Sequence, residues 1–276
     1  MAIGPIFGVS PYRAINTLNS VNKLLERSLE RIGSGLRVNR AADDPAGSAV
    51  AVHFSSQARS GRQAIRNINS GIAMAQVAEG AMSEVGNILD RMRELAVQSS
   101  SGTLTSSQRS SIDDEFEELS EEIDRISSAA EYNDIQLSDG TVSSVDVQVG
   151  TGSGSSNQIS ISLEDISAST LGVDTSSVDL SSASAASSAI TEIDAAIDSV
   201  NGYKSDIGAS QNRLDSASSY MTSYVTSMES ARSAIMDADI AAETAEMSRL
   251  QILQSSGVAV LVQARKINES LLGLLP

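Results

Sequence analysis

The 276-residue chain carries 35 acidic against 19 basic residues, a net charge of −16, and contains neither cysteine nor tryptophan. That balance argues against a nucleic-acid backbone or an anionic membrane as partner, because there is no basic excess to displace counterions, and the missing cysteines exclude disulfides and thiolate metal sites. Aromatic residues make up only 3%, so thin helical layers of Ala, Leu, Ile, Val and Met suit the inventory better than a thick globular core.

The first residues, MAIGPIFGVSPYR, have an apolar patch but no basic region before it and no small-residue cleavage site after it, which argues against a Sec-type signal. The longest apolar run, residues 258–262, is far short of the roughly 20 residues that cross a bilayer, so no membrane insertion is expected.

A helical period begins at Ile15 and runs through Leu18, Leu25, Leu29, Ile32 and Leu36. It halts at Gly33-Ser34-Gly35. A new start follows at Asp43-Asp44-Pro45, where an Asp can cap free amides and Pro tolerates the first helical position. From there to about Ser100 a long helix is expected, with Ile65, Ile68, Ile72 and Ala75 and then Ala78, Met82, Val85, Leu89, Met92 and Ala96 as its seam. At about 1.5 Å per residue it spans on the order of 80 Å, which predicts a rod.

Thr105-Ser106-Ser107-Gln108 reads as a capping box. The helix it opens has a seam of Ile112, Phe116, Leu119, Ile123, Ile126 and Ala130, and its acids between 113 and 124 spread over a whole polar face, which reads as a solvated surface rather than a metal site. Over residues 141–163 the period changes to two, with Val145, Val147 and Val149 and then Ile159, Ile161 and Leu163 around a Gly/Ser-rich tip. A β-hairpin with a loose tip is expected. Residues 167–188 are of low complexity and read as an irregular return.

A fourth helix is expected from near Ser188, with Ile193, Val200, Ile207, Leu214, Met221, Met228 and Ile235 at an unbroken interval of seven. Beyond Asp237-Ala238-Asp239 the stripe resumes at Leu250, Leu253, Leu261, Ala264, Ile267, Leu271 and Leu274. Long helices of this kind must pair to be stable, so the chain returns alongside itself. The fold class that follows is mainly α, an antiparallel long-helix coiled-coil rod with a small β-hairpin region and both termini packed together at one end. Each end carries an apolar stripe that cannot be buried within a monomer and seeks a partner.

These residues bring a known family into view. SLERIGSGLRVN over residues 28–39, AADDPAG over 41–47, Gly80-Ala81, RMRELAVQS over 91–99, GASQNRL over 208–214, ARSAI over 231–235, Asp237-Ala238-Asp239 and QILQ over 251–254 occur in this order, and together they resemble bacterial flagellin over nearly the whole chain. The resemblance implies a subunit that polymerises with copies of itself into an extracellular flagellar filament for motility, exported through the flagellar type III channel. It implies export-chaperone, cap and hook-junction proteins as partners. In that family the terminal helices form an inner tube, so residues 1–42 and 236–276 are expected to do so here, with residues 43–235 as a long-helix bundle whose hairpin region lies at about 141–180.

Filament packing is then expected of Leu25, Leu29, Ile32, Leu36, Leu250, Leu253, Leu261, Ile267 and Leu271. By the same resemblance Arg91, Leu95 and Glu115 match positions through which some flagellins are recognised by Toll-like receptor 5. Two departures stand out: Pro5 and Pro11 oppose continuous helix before Tyr12, and Asp134 stands where the family often has Gly, which implies another turn geometry.

An enzyme is the first rival reading. His53 is the only histidine; there is no His-Glu-x-x-His pattern and no cysteine nucleophile, and Gly150-x-Gly-x-Gly154 precedes a strand instead of a helix, so no catalytic residue, metal or cofactor is assigned. A hook–filament junction protein, which resembles flagellin at both ends, is the closer alternative. An intracellular coiled-coil adaptor fits less well, because it would leave both terminal stripes exposed.

Overall fold

A computed structural model describes the backbone over residues 10–272 and the side chains over residues 12–266. In chain order the elements are α1 (Ser10–Ser34), α2 (Pro45–Ser99), α3 (Ser106–Ala129), β1 (Glu131–Tyr132), β2 (Ile135–Gln136), β3 (Ser144–Gln148), β4 (Gln158–Ser162), α4 (Ala168–Leu171), α5 (Ala183–Met236) and α6 (Ile240–Leu272). The chain divides into two compact units, Met1–Ser56 with Ser227–Pro276, and Gln57–Thr226. Pro5 lies outside the described residues. Pro11 falls in the first turn of α1, where its missing N–H costs no helical bond.

The central unit is built on the seams that periodicity marks. Ile68, Ala75, Ala78, Met82, Val85, Leu89, Met92 and Ala96 of α2 are buried, and so are Ile193, Val200, Ile207, Leu214 and Met221 of α5 and Ile112, Phe116 and Ile123 of α3. Polar contacts fix α2 and α5 as antiparallel. Arg93 Nε donates to Asp194 at 2.6 Å, Gln211 Nε2 to Glu79 at 2.9 Å and the Tyr224 hydroxyl to Gln57 at 3.2 Å, so numbers rise along one helix as they fall along the other.

The capping box forms as expected: Thr105 Oγ1 accepts from the Gln108 N–H, and the Gln108 side chain accepts from the Thr105 N–H. Just after it, the buried Arg109 guanidinium reaches back to donate to the Ser99 carbonyl at 3.2 Å and to the Ser101 carbonyl at 3.0 Å. A cation is thereby placed on the negative end of the α2 dipole.

β3 and β4 pair antiparallel, Val145 opposite Ile161 and Val147 opposite Ile159, and their buried side chains join the same core. The tip, expected to be loose, is held: Gln148 Nε2 donates to the Gly150 carbonyl at 2.9 Å and the Gly152 carbonyl at 2.6 Å, and the Asn157 side chain folds back where a Cβ on Gly150 would stand. Ahead of it lies a second, two-residue hairpin that alternation was too short to reveal. Its turn residues Asn133 and Asp134 have φ of 51° and 62°. Asp134 thus takes the left-handed conformation that glycine adopts most easily, one that Asn and Asp tolerate because their short side chains bond locally.

The return segment corrects two expectations. It is ordered by packing, with Ile166, Val173, Val178 and Leu180 buried, and α5 starts at Ala183, before Ser188. Ser182 Oγ accepts from the Ala185 N–H at 3.2 Å and opens that helix. Two acids assigned to the solvated face of α3 instead hold this segment: Asp124 accepts from the Ala168 N–H at 2.8 Å and Asp113 from the Leu180 N–H at 3.1 Å. Ser99 Oγ donates to the Leu180 carbonyl at 2.7 Å. Asp165 accepts from the Ser167 N–H and the Thr170 hydroxyl; burial raises its pKa, but these bonds together outweigh burial and hold it below the ordinary carboxylate value.

Glycine is required where α2 meets its neighbours. A Cβ on Gly61 would lie 2.6 Å from Val225 Cγ2, whereas one on Gly80 would meet nothing within 4 Å. Gly80→Ala is therefore expected to raise stability by about 0.5–1 kcal/mol through helix propensity. Gly61→Ala, which adds about 1–3 kcal/mol of overpacking, should lower it. Urea midpoints of the two variants against the parent check the opposite signs.

Candidate interaction surface

The terminal unit is organised by two joints that bond to each other. α1 ends at Gly35, whose φ of 71° turns the chain out of the helix. Leu36 then bridges antiparallel to Asp237, with the Arg37 N–H donating to the Met236 carbonyl at 2.6 Å and the Ala238 N–H to the Gly35 carbonyl at 2.9 Å. The Arg37 guanidinium adds a bond to the Ile235 carbonyl at 2.5 Å. The link between α1 and α2 is thus tied to the link between α5 and α6.

From these joints α1 and α6 run antiparallel. Ser28 Oγ donates to the Glu243 carbonyl at 3.2 Å, Gln254 Nε2 donates to Asn22 Oδ1 at 2.9 Å, and a Cβ on Gly257 would lie 3.0 Å from Leu18 Cδ1. The inward stripe is Ala14, Leu18, Val21, Leu25, Ser28 and Ile32 on α1 against Glu243, Met247, Leu250, Gln254, Gly257 and Leu261 on α6. Both follow the four-three alternation of paired helices. Between Leu18, Leu253 and Val260 a small apolar cavity of about 240 Å³ remains open.

Charge is local. Arg31 stands 3.8 Å from Glu243 in the seam, and Arg40 pairs with Glu30 at 2.9 Å. The backbone N–H of Arg40, with that of Asn39 and the charges of Arg27 and Arg31, keeps the Asp43 carboxyl below its ordinary pKa. Asp44 caps α2, accepting from the Gly47 N–H at 2.8 Å.

Pairing leaves most of the apolar surface uncovered. Ile15, Leu24 and Leu29 on α1, and Ile240, Ile252, Leu253, Val258, Val260 and Val262 on α6, are exposed, while the central unit exposes only Val77, Val97 and Tyr220 among its described large apolar side chains. At about 100° per residue, the exposed positions of α6 fall on both flanks of its seam and on its back. A helix that is apolar all round belongs in an interior.

The residues singled out for packing separate into three groups. Leu250, 2% exposed, is spent on the α1–α6 seam. Leu25, Ile32 and Leu261 are half-buried there and Leu36 is half-buried in the joint, whereas Leu29 at 50% and Leu253 at 42% exposure face outward. The side chains of Ile267 and Leu271 lie outside the described residues. Sequence reasoning passed over Ile252, 65% exposed, with Leu24 and the valines at 258, 260 and 262. The all-round distribution on α6 is the signal that identifies them.

Arg91, Leu95 and Glu115 lie in the central unit. Arg91 donates to Glu115 at 2.7 Å and to Glu94 at 2.9 Å on the surface, and these hydrogen bonds, the one to Glu115 foremost, raise the Arg91 pKa. Leu95 is 1% exposed and belongs to the core. Among the described residues no three His, Asp or Glu side chains converge as a metal site, and no helix is long and apolar enough to cross a membrane.

Residues 10–143 match the bacterial flagellin N-terminal helical region and residues 190–275 the bacterial flagellin C-terminal helical region. A flagellin from Halalkalibacterium halodurans is 39% identical over 250 residues, covering 91% of both chains. The crystal structure of Bacillus cereus flagellin is similar at 27% identity with a TM-score of 0.51, over 56% of this chain and 88% of that one. A structure from Vibrio parahaemolyticus described as a flagellar hook-associated protein shares the fold, at 16% identity and a TM-score of 0.58 over 70% of this chain and 99% of that one.

The two neighbouring leucine positions of α6 should respond differently to truncation. Leu250→Ala is expected to cost about 2–5 kcal/mol of α1–α6 pairing, and Leu253→Ala less than about 0.5 kcal/mol in the monomer. Hydrogen exchange over residues 240–266 separates them.

Proposed function

The chain belongs to the bacterial flagellin family, and from that premise we propose that it polymerises with copies of itself through its terminal helix pair. It is a structural subunit of the flagellar filament. In this reading residues 1–42 and 236–276 form the inner tube and residues 43–235 the surrounding bundle, with the hairpin region at about 141–180. Export proceeds through the flagellar type III channel to the cell exterior, with an export chaperone, cap and hook-junction proteins as partners.

The observation that carries self-assembly is the exposed apolar surface around α1 and α6. Covering each half-exposed Val, Ile or Leu by a neighbouring copy contributes roughly 1 kcal/mol, and many small terms add over one subunit. Because the exposed positions lie on both flanks of the pair, a subunit needs neighbours on more than one side, which suits a tube better than a dimer.

Full-length protein is expected to extend filament seeds under the electron microscope, and a version lacking residues 1–40 and 238–276 is expected not to. Full-length protein that merely caps the seeds would replace this reading with the junction-protein one, which the shared fold of the hook-associated structure also accommodates.

Recognition by Toll-like receptor 5 rests on the family resemblance and on the surface position of Arg91 and Glu115. Leu95, buried behind them, acts by holding α2 in place. Purified monomer should signal in a receptor reporter assay, and Arg91→Ala or Glu115→Ala should weaken the signal without unfolding the chain. Silence of the parent monomer would sink the receptor role.

A further inference from the structure

We propose that Asn22 and Gln254 are positioning residues that fix the register of α1 against α6, and so determine which assembly surface the subunit presents. The inference rests on the polymerising role of the terminal pair. Gln254 Nε2 donates to Asn22 Oδ1 at 2.9 Å in a half-buried setting, on a seam otherwise dominated by apolar side chains.

An apolar seam with a seven-residue repeat looks nearly the same after a slide of one heptad, roughly 10 Å, and apolar packing is non-directional. The backbone bonds at the joints oppose such a slide at one end of the helix pair, and the amide pair opposes it farther along, where the seam alone would not. A slide by seven either way would set Gln254 level with Ile15 or Leu29, and Asn22 level with Met247 or Leu261, four apolar side chains that offer no hydrogen bond. Gln254, which lies on the inward stripe, would then lose its bond to Asn22 with only apolar side chains level with it. The bond of Ser28 to the Glu243 carbonyl marks the same register nearer the joints.

Register matters because the outward surface is composed from both helices. In the observed alignment Ile15 lies level with Val260 and Leu24 with Ile252, all exposed. A slipped pair would displace these partners by about two turns. Since a polymer repeats one surface at every subunit, a mixture of registers gives copies that do not fit one another.

The chain has no cysteine, so paired substitutions report register directly. Leu18→Cys with Gly257→Cys spans the observed alignment, and Leu18→Cys with Ala264→Cys spans the slipped one. In filaments grown under reducing conditions and then oxidised, the first disulfide should exceed the second by about tenfold or more. Adding Asn22→Leu with Gln254→Leu should keep the helix content measured by circular dichroism, lower the ratio of the first yield to the second by about threefold or more, and slow seed extension.

Unchanged selectivity in the leucine variant would overturn the proposal, and so would loss of helix, which would make the pair a stabiliser rather than a register device. Failure of the reduced Leu18→Cys/Gly257→Cys protein to extend seeds when the parent also fails would instead count against polymerisation itself.

Discussion

A helix that is apolar on more than one side cannot be satisfied by a single partner helix, and this constraint governs the terminal unit. α1 and α6 bury Val21, Ser28 and Leu250 against each other, yet Leu24, Leu29, Ile252, Val258 and Val262 still face outward. Apolar area removed from water is the dominant favourable term in association, so the uncovered faces make the folded subunit an incomplete object. The bonds between the two joints hold α1 and α6 together within it.

The central unit solves the same problem internally. Its core draws on α2, α3, α5, the β3–β4 hairpin and the return segment, and leaves few large apolar side chains exposed among those described. Buried backbone groups of the irregular stretch need partners, since an unpaired one is costly. Asp113, Asp124 and Ser99 provide them from α3 and α2. The acids of α3 therefore do two jobs: some keep the surface charged, and two fasten a loop to the helices beneath it. Ion pairs such as Arg91 with Glu115 and Arg93 with Asp194 lie on the outside, where solvent screening leaves them small contributors to stability.

Much of this was legible because helices announce themselves locally. The Gly35 stop, the Asp44-Pro45 start, the capping box at Thr105 and the alternation of the β3–β4 hairpin depend on residues within a few positions of one another, and the structure keeps all of them. Misreadings arose where composition hides partners distant in the chain. A Ser/Ala-rich return looks featureless until Val173, Val178 and Leu180 are seen in the core. Asp113 and Asp124 look like any solvated acids until Leu180 and Ala168 come alongside, 67 and 44 residues away.

Residue order alone makes the chain helical, requires its long helices to pair, leaves no thiol chemistry available, and puts an apolar stripe at each end. Those properties follow from periodicity and composition, which act over one or two helical turns. Which side of each stripe is spent within the subunit emerges in the folded pair: Leu250 turns inward and Leu253 outward, although both are leucines on one helix three residues apart. An apolar side chain carries no information about which neighbour will cover it, because the hydrophobic effect is non-directional; the choice is made by the alignment of α1 with α6.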